Sequence, residues 1–162
     1  MRTFLLCCAL LLGAPDAALA QAQPTALVIH GGAGVIERKA MSADAERAIR
    51  QTLDAALDAG HAVLAGGGAA LDAVEASVRV LEESPHFNAG KGAVFNAEGR
   101  HELDASVMEG HTRRAGAVAA VSTVRSPVRL ARRVMEQSPH VMLIGDGAER
   151  FADDVEQALY AS

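Results

Sequence analysis

Apolar positions along the chain change their period several times, and each change marks an expected element. Ala26-Leu27-Val28-Ile29-His30 is a continuous apolar run that ends on Gly31-Gly32-Ala33-Gly34. That pattern predicts a buried strand entering a glycine turn. Ile49, Leu53, Leu57 and Leu64 then recur near helical spacing. Ser42 stands where an N-cap belongs, and Asp44 and Glu46 fall in the first turn, so a helix is expected over about residues 43–65. Gly66-Gly67-Gly68 stops it, because consecutive glycines favour a turn. Leu71, Val74, Val78 and Leu81 share one face of a second helix, which Pro85 ends.

The period then shortens. Strands are expected over 93–96, 102–108 and 115–123. In the second, alternation sets Glu102, Asp104 and Ser106 against Leu103, Ala105 and Val107. The third carries small residues on both faces, as in a sheet packed closely on both sides. Ser126-Pro127 opens another helix, with the hydroxyl as cap, proline at the first helical position, and Leu130 and Val134 on one face. Val141 to Ile144 reads as a buried strand. Gly145-Asp146-Gly147 then turns the chain into a short helix through Phe151, and the unpatterned tail is compatible with helix. Alternating helices and strands imply an α/β fold with layers of both kinds.

Composition changes this picture at one end. The first twenty residues combine Arg2, an apolar run from Phe4 to Leu12 and Ala18-Leu19-Ala20 ahead of Gln21. This is the pattern of a signal peptide over 1–20, too short to span a bilayer of roughly 30 Å as a stable helix. Residues 21–162 are then expected to form a single exported unit, periplasmic or secreted, with no membrane association after signal removal. Cys7 and Cys8 both lie inside the signal, so thiol and disulfide chemistry is not expected in the mature chain. The formal net charge of -5 argues against nucleic acid as a partner.

Candidate chemistry is sparse when read locally. A strand ending in His30-Gly31-Gly32-Ala33-Gly34 either makes a tight turn or lets backbone N–H groups approach an oxyanion. Its glycines fit neither a phosphate loop nor a dinucleotide fingerprint. The loop from Ser84-Pro85 through Phe87-Asn88-Ala89-Gly90-Lys91-Gly92 is either an ordinary connection or a wound segment whose inward carbonyls suit a hard cation. Glu102 and Asp104 are either an acid–base pair or a solvated strand face. No two of the six histidines are three to five residues apart, so local zinc spacing is absent. No serine has a Gly-x-Ser-x-Gly setting.

Taken in order, His30-Gly31-Gly32-Ala33-Gly34, Phe87-Asn88-Ala89-Gly90-Lys91-Gly92-Ala93-Val94-Phe95, Glu102 to Gly110, and His140 to Ala148 with Phe151-Ala152 resemble the successive signatures of plant-type asparaginases and isoaspartyl peptidases. The likeness runs over about residues 26–154, includes Asp72-Ala73-Val74-Glu75, and corresponds to the N-terminal, α-subunit part of that family. It implies an N-terminal nucleophile hydrolase fold, an αββα sandwich of two sheets between helical layers, of which this chain would supply a part. Members of the family cut themselves into α and β subunits. The cut exposes a threonine that attacks the side-chain amide of asparagine or the β-linked bond of an isoaspartyl dipeptide, with its own α-amino group as base.

By resemblance, main-chain oxygens of Leu81, Glu82, Ser84, Phe87, Ala89 and Lys91 would hold a structural sodium ion. Asn88 would line the substrate site. Gly31 and Gly32 would lie in the loop near the self-cleavage point. None of Thr3, Thr25, Thr52, Thr112 and Thr123 has the family's Gly-Thr-Val-Gly-like setting, so no catalytic residue is expected in this chain. The expected partner is a β subunit carrying the threonine, in a dimer of αβ units. The alternative is a non-catalytic product or a scaffold that pairs with a complete relative. Alone, the chain is expected to be inactive and poorly soluble or molten, because exposed sheet edges and apolar faces associate.

Overall fold

The computed structural model describes residues 24–32 and 38–160. The segment read as a signal peptide, and Ala33 and Gly34 of the glycine motif, lie outside the described residues. Among those described there are four α-helices and one three-stranded sheet, a mixed α/β arrangement.

Helix α1 (Ala43–Ala65) starts as its sequence requires: the Ser42 Oγ accepts the Ala45 N–H at 3.1 Å. It stops at the glycine triplet, where the Gly66 and Gly68 N–H groups close onto the carbonyls of Ala62 and Val63. Helix α2 (Ala70–Glu82) returns along α1. The two helices meet at Gly60, where an added Cβ would lie 2.3 Å from Ser77 Oγ and 2.9 Å from the Ala73 carbonyl. Only a residue without a side chain permits this approach. Helix α2 ends at Glu82, ahead of Pro85, with the Glu83 N–H on the Arg79 carbonyl.

The sheet is ordered β1 (Leu103–Met108), β2 (Ala115–Val121), β3 (Met142–Ile144). Strands β1 and β2 are antiparallel. Strand β3 runs parallel to β2, and the connection between them carries helix α3 (Pro127–Gln137). Helix α4 (Gly145–Tyr160) follows β3 without a separate turn. The β1–β2 register slips between Leu103 and Ala105, which places a bulge in β2 beside Ala120. Ala120 has φ +52°, a left-handed conformation uncommon for a residue with a side chain, and its N–H donates to Asp104 Oδ1 at 2.9 Å.

One face of this sheet is packed. Val107, Val118 and Val121 meet Leu130, Ala131, Val134 and Met135 of α3 and Ala148 and Ala152 of α4. Strand β2 approaches α3 so closely at Gly116 that a Cβ there would lie 2.1 Å from the Ala131 carbonyl. The other face carries Ser106, Met108, Ala117, Met142 and Ile144, register partners or alternate neighbours pointing one way. Met108, Met142 and Ile144 are 62%, 48% and 61% exposed. A second, smaller core joins Ala56, Leu81 and Phe87 to Ile29, Ile49 and Leu53.

Several expectations are corrected. Residues 26–30 and 93–96 are not strands of the sheet. A strand needs a partner backbone, and Val94 instead gives its N–H to the Asn88 side chain. The small residues of 115–121 are covered on one face only, and β3 is largely exposed where a buried strand was expected. The final segment forms one sixteen-residue helix with the short helix expected through Phe151. The Ser126 hydroxyl does not cap its own helix; it donates to Glu82.

Candidate functional site

The loop between α2 and β1 is built from its glycines. Gly90 sits at φ +48°, and a Cβ there would meet the Glu82 carbonyl oxygen at 2.4 Å. A Cβ on Gly92 would meet the Phe87 oxygen at 2.2 Å and the Pro85 oxygen at 2.9 Å. The main chain is thus wound so tightly that carbonyl oxygens from both ends of the loop converge on residues without side chains. Leu81, Phe87 and Ala89 each accept one backbone N–H, from Ser84, Ala89 and Gly92. A carbonyl oxygen has a second lone pair, so these bonds leave capacity for a cation. An all-oxygen, mostly neutral donor set suits a hard cation of low charge. Of the six positions named from the sequence, Glu82 and Phe87 place their carbonyl oxygens against Gly90 and Gly92.

Their side chains point to different tasks. Leu81 and Phe87 are buried in the smaller core, Ser84 is buried, and Lys91 is exposed. The Ser84 Oγ accepts the His86 N–H at 3.2 Å and tightens the first turn. Asn88 Oδ1 accepts the Val94 N–H at 3.0 Å, which fixes the side-chain amide at an exposed position on the loop. Beyond it, Phe95 stacks on the His101 ring with centroids 4.3 Å apart, and Asn96 Oδ1 receives two backbone N–H groups of the next turn.

The glycine motif reaches the same place from the other end of the chain. A Cβ on Gly31 would lie 2.5 Å from Cε1 of Phe87 and 3.1 Å from Leu53. The backbone of Gly31 therefore rests on the Phe87 ring, between α1 and the oxygen-lined loop. Gly32, the next residue, has φ +142°. Gly31 and Phe87, 56 residues apart in sequence and each named separately as a site candidate, are packed together. A groove of about 700 Å³ lies nearby, lined by Gln51, Thr52, Arg79, Glu83 and His86 among others, but it includes neither Gly31 nor Asn88. Asn88 is exposed, and Gly31 and Gly32 are half-buried.

Glu82 has a second role that the sequence reading missed. Its side chain is 5% exposed and reaches across to the start of α3. One oxygen accepts the Ser126 hydroxyl at 2.6 Å and the other the Val128 N–H at 2.9 Å. Burial pushes this carboxyl above its ordinary range, against the opposing pull of the Ser126 and Val128 bonds. The neighbouring Glu83 takes Arg125 in a two-pronged ion pair at 2.7 and 3.1 Å, which holds its carboxyl low. From the far side, Glu149 of α4 accepts the Ser122 and Thr123 N–H groups at 2.6 and 3.0 Å, and these two bonds depress its carboxyl. Three carboxylates thus strap the short connection between β2 and α3. A signal for Glu82 existed: it lies four residues after Val78, on the buried stripe of α2, where an acid needs a partner.

The remaining candidates separate. Asp104 and Ser106 lie on the exposed face of β1, as alternation predicted, and Glu102, also exposed, precedes the strand. Asp104 is occupied by the β2 bulge rather than paired with Glu102 for proton transfer. Asp72 and Glu75 of α2 both bind Arg132 of α3, at 2.7 and 2.9 Å, tying the two helices together.

A profile described as asparaginase matches residues 23–162. The isoaspartyl peptidase of Escherichia coli (strain K12) is 56% identical over 126 residues, covering 78% of this chain and 39% of the relative. The isoaspartyl peptidase/L-asparaginase of Mus musculus is 43% identical over 129 residues, covering 80% of this chain and 38% of the relative. The plant-type L-asparaginase of Pyrococcus abyssi is 45% identical over 132 residues, covering 78% of this chain and 40% of the relative. The chain spans about two fifths of the length of these curated relatives.

Proposed function

The chain belongs to the asparaginase family, and from that premise we propose that it is the N-terminal, α-subunit part of a hydrolase. The reaction is cleavage of the side-chain amide of L-asparagine and of β-linked isoaspartyl dipeptides. The nucleophile is a threonine supplied by the complementary β part, exposed by self-cleavage, and the assembled unit is an αββα sandwich that pairs into a dimer of αβ units. The chain carries a leader over 1–20 and acts outside the cytoplasm.

The observation that carries this reading is the junction of Gly31 with Phe87. It gathers the glycine segment, the loop between α2 and β1 and Asn88 into one surface. Asn88 is held by the Val94 N–H in a fixed orientation, as a residue that recognises a polar substrate needs to be. Gly31 and Gly32 bring bare backbone to the place where the β part would begin. A sodium ion, when bound, supplies rigidity to the loop and no step of the reaction. The chain's own contribution is positional: it presents Asn88 and forms one wall of the site.

The uncovered sheet face supports the same partner. Met108, Met142 and Ile144 are exposed on it, beside small alanines that would let a second sheet approach closely. Occupation of that face by the second sheet of the sandwich completes a core that this chain leaves open.

The test is ammonia and aspartate release from asparagine and from β-aspartyl-leucine. The chain is assayed alone and after mixing with a separately expressed β part of a relative. Release only on mixing is the expected result. Release by the chain alone would overturn the assignment of the nucleophile to the partner. Association of the two without release would favour a non-catalytic role.

A further inference from the structure

Glu82 belongs to two structures at once. Its main chain is a wall of the oxygen-lined loop, in contact distance of Gly90, while its side chain holds the first turn of α3 through Ser126 and Val128. We propose that Glu82 is a positioning residue that couples cation occupancy of the loop to the seating of α3 on the sheet. This rests on the reading of the loop as a cation site.

The geometry leaves little slack between the two. Glu82 is the last residue of α2, and its carbonyl oxygen, Cα and Cβ all lie within 3 Å of where a Cβ on Gly90 would stand. The side chain is buried, and both of its oxygens are committed to α3. A shift of Gly90 that displaces the Glu82 Cα and Cβ either drags the start of α3 or breaks two hydrogen bonds, and removing the acceptor would leave the Val128 N–H buried and unpaired. Helix α3 in turn lies against β2 at Gly116, so its seating is felt at the sheet. The adjacent Glu83–Arg125 pair and the Glu149 strap anchor the same connection but do not touch the loop oxygens. Glu82 is the side chain through which ordering of the loop reaches α3.

Amide hydrogen exchange of the chain assembled with the β part of a relative, in sodium chloride and in tetramethylammonium chloride at equal ionic strength, tests this. Peptides covering 84–94, 126–131 and 148–155 are followed. Sodium is expected to slow exchange about fivefold or more, the low end of ordinary coupling between sites, in both the loop and the first turn of α3 but not in α4. In Glu82→Ala the loop response is retained and the α3 response is lost. In Ser126→Ala, which leaves the loop chemically intact, the α3 response shrinks. Glu83→Gln keeps both.

A loop that ignores sodium overturns the cation reading and the coupling with it. A loop that responds while α3 does not overturns the coupling alone, as does an α3 response that survives Glu82→Ala. Equal slowing in α4 would mean general stabilisation and would also contradict the proposal. If Glu82→Ala does not fold, the wild-type pattern and Ser126→Ala still decide.

Discussion

The two faces of the sheet share one backbone and differ in what each requires. The face toward α3 is finished within the chain: Val107, Val118 and Val121 are buried, and Gly116 admits the helix backbone itself. The opposite face has the same register partners displaced by one residue, yet exposes Met108, Met142 and Ile144 around a row of alanines. Local sequence pattern distinguishes the two poorly, because small residues line both. The difference is that this chain completes one interface by itself and leaves the other exposed.

The largest effect should come from charging the open face. Ala117→Glu with Ile144→Lys is expected to abolish association with the β part of a relative, and with it ammonia release, while leaving the circular dichroism of the chain unchanged. Loss of helix signal in this variant would mean that the open face is needed for folding itself. On the closed face, Gly116→Ala places a methyl group against the backbone of α3, and a cost of about 3 kcal/mol is expected. Leu130→Ala, which empties a buried position in the same layer, should cost a similar amount, about 3 kcal/mol. Urea denaturation midpoints of the assembled protein measure both.

Much of the fold was legible because some elements are decided by neighbours in sequence. Ser42, the glycine triplet and the alternation along β1 act within a few residues, and the structure places those elements where the pattern put them. The misses share a cause. Residues 26–30 and 93–96 have strand-like composition, but a strand is defined by a second backbone, and the hydrogen bonds of Val94 go to a side chain. Ser126 has an ideal capping position, yet Glu82, 44 residues earlier, takes its hydroxyl. At the site, resemblance named Gly31 and Phe87 for separate reasons, and the contact between them required the fold. The side-chain role of Glu82 was hidden because its main chain had already been given one.

Acid titration gives a smaller effect that sharpens the contrast between the straps of the β2–α3 connection. The Glu149 carboxyl is held low by the Ser122 and Thr123 N–H groups. Its contribution is present above the ordinary carboxylate range and is lost as pH falls through its depressed value. Glu82 is raised by burial, so its ionisation opposes folding, and stability falls as pH rises from the ordinary carboxylate value through the raised one. Glu149→Gln should therefore flatten the acid limb of a stability–pH profile, and the opposite slope belongs to Glu82. A steeper acid limb in Glu149→Gln would contradict the assignment. Smallest of all, Arg47→Ala, which removes an exposed ion pair at the start of α1, should change the urea midpoint of the assembled protein by the equivalent of no more than about 0.5 kcal/mol.

The central claim is that the open sheet face is where the rest of the hydrolase docks. It is tested most directly by single-cysteine labelling in a chain with Cys7 and Cys8 replaced by serine. Cysteines are placed in turn at Met108 and Ile144 on the open face and at Glu136, exposed on α3. Maleimide labelling is followed with and without the β part of a relative, under conditions where ammonia release confirms assembly. The account predicts protection of positions 108 and 144 on mixing, and unchanged labelling at 136. Labelling of positions 108 and 144 that stays equally fast in an active mixture would contradict it.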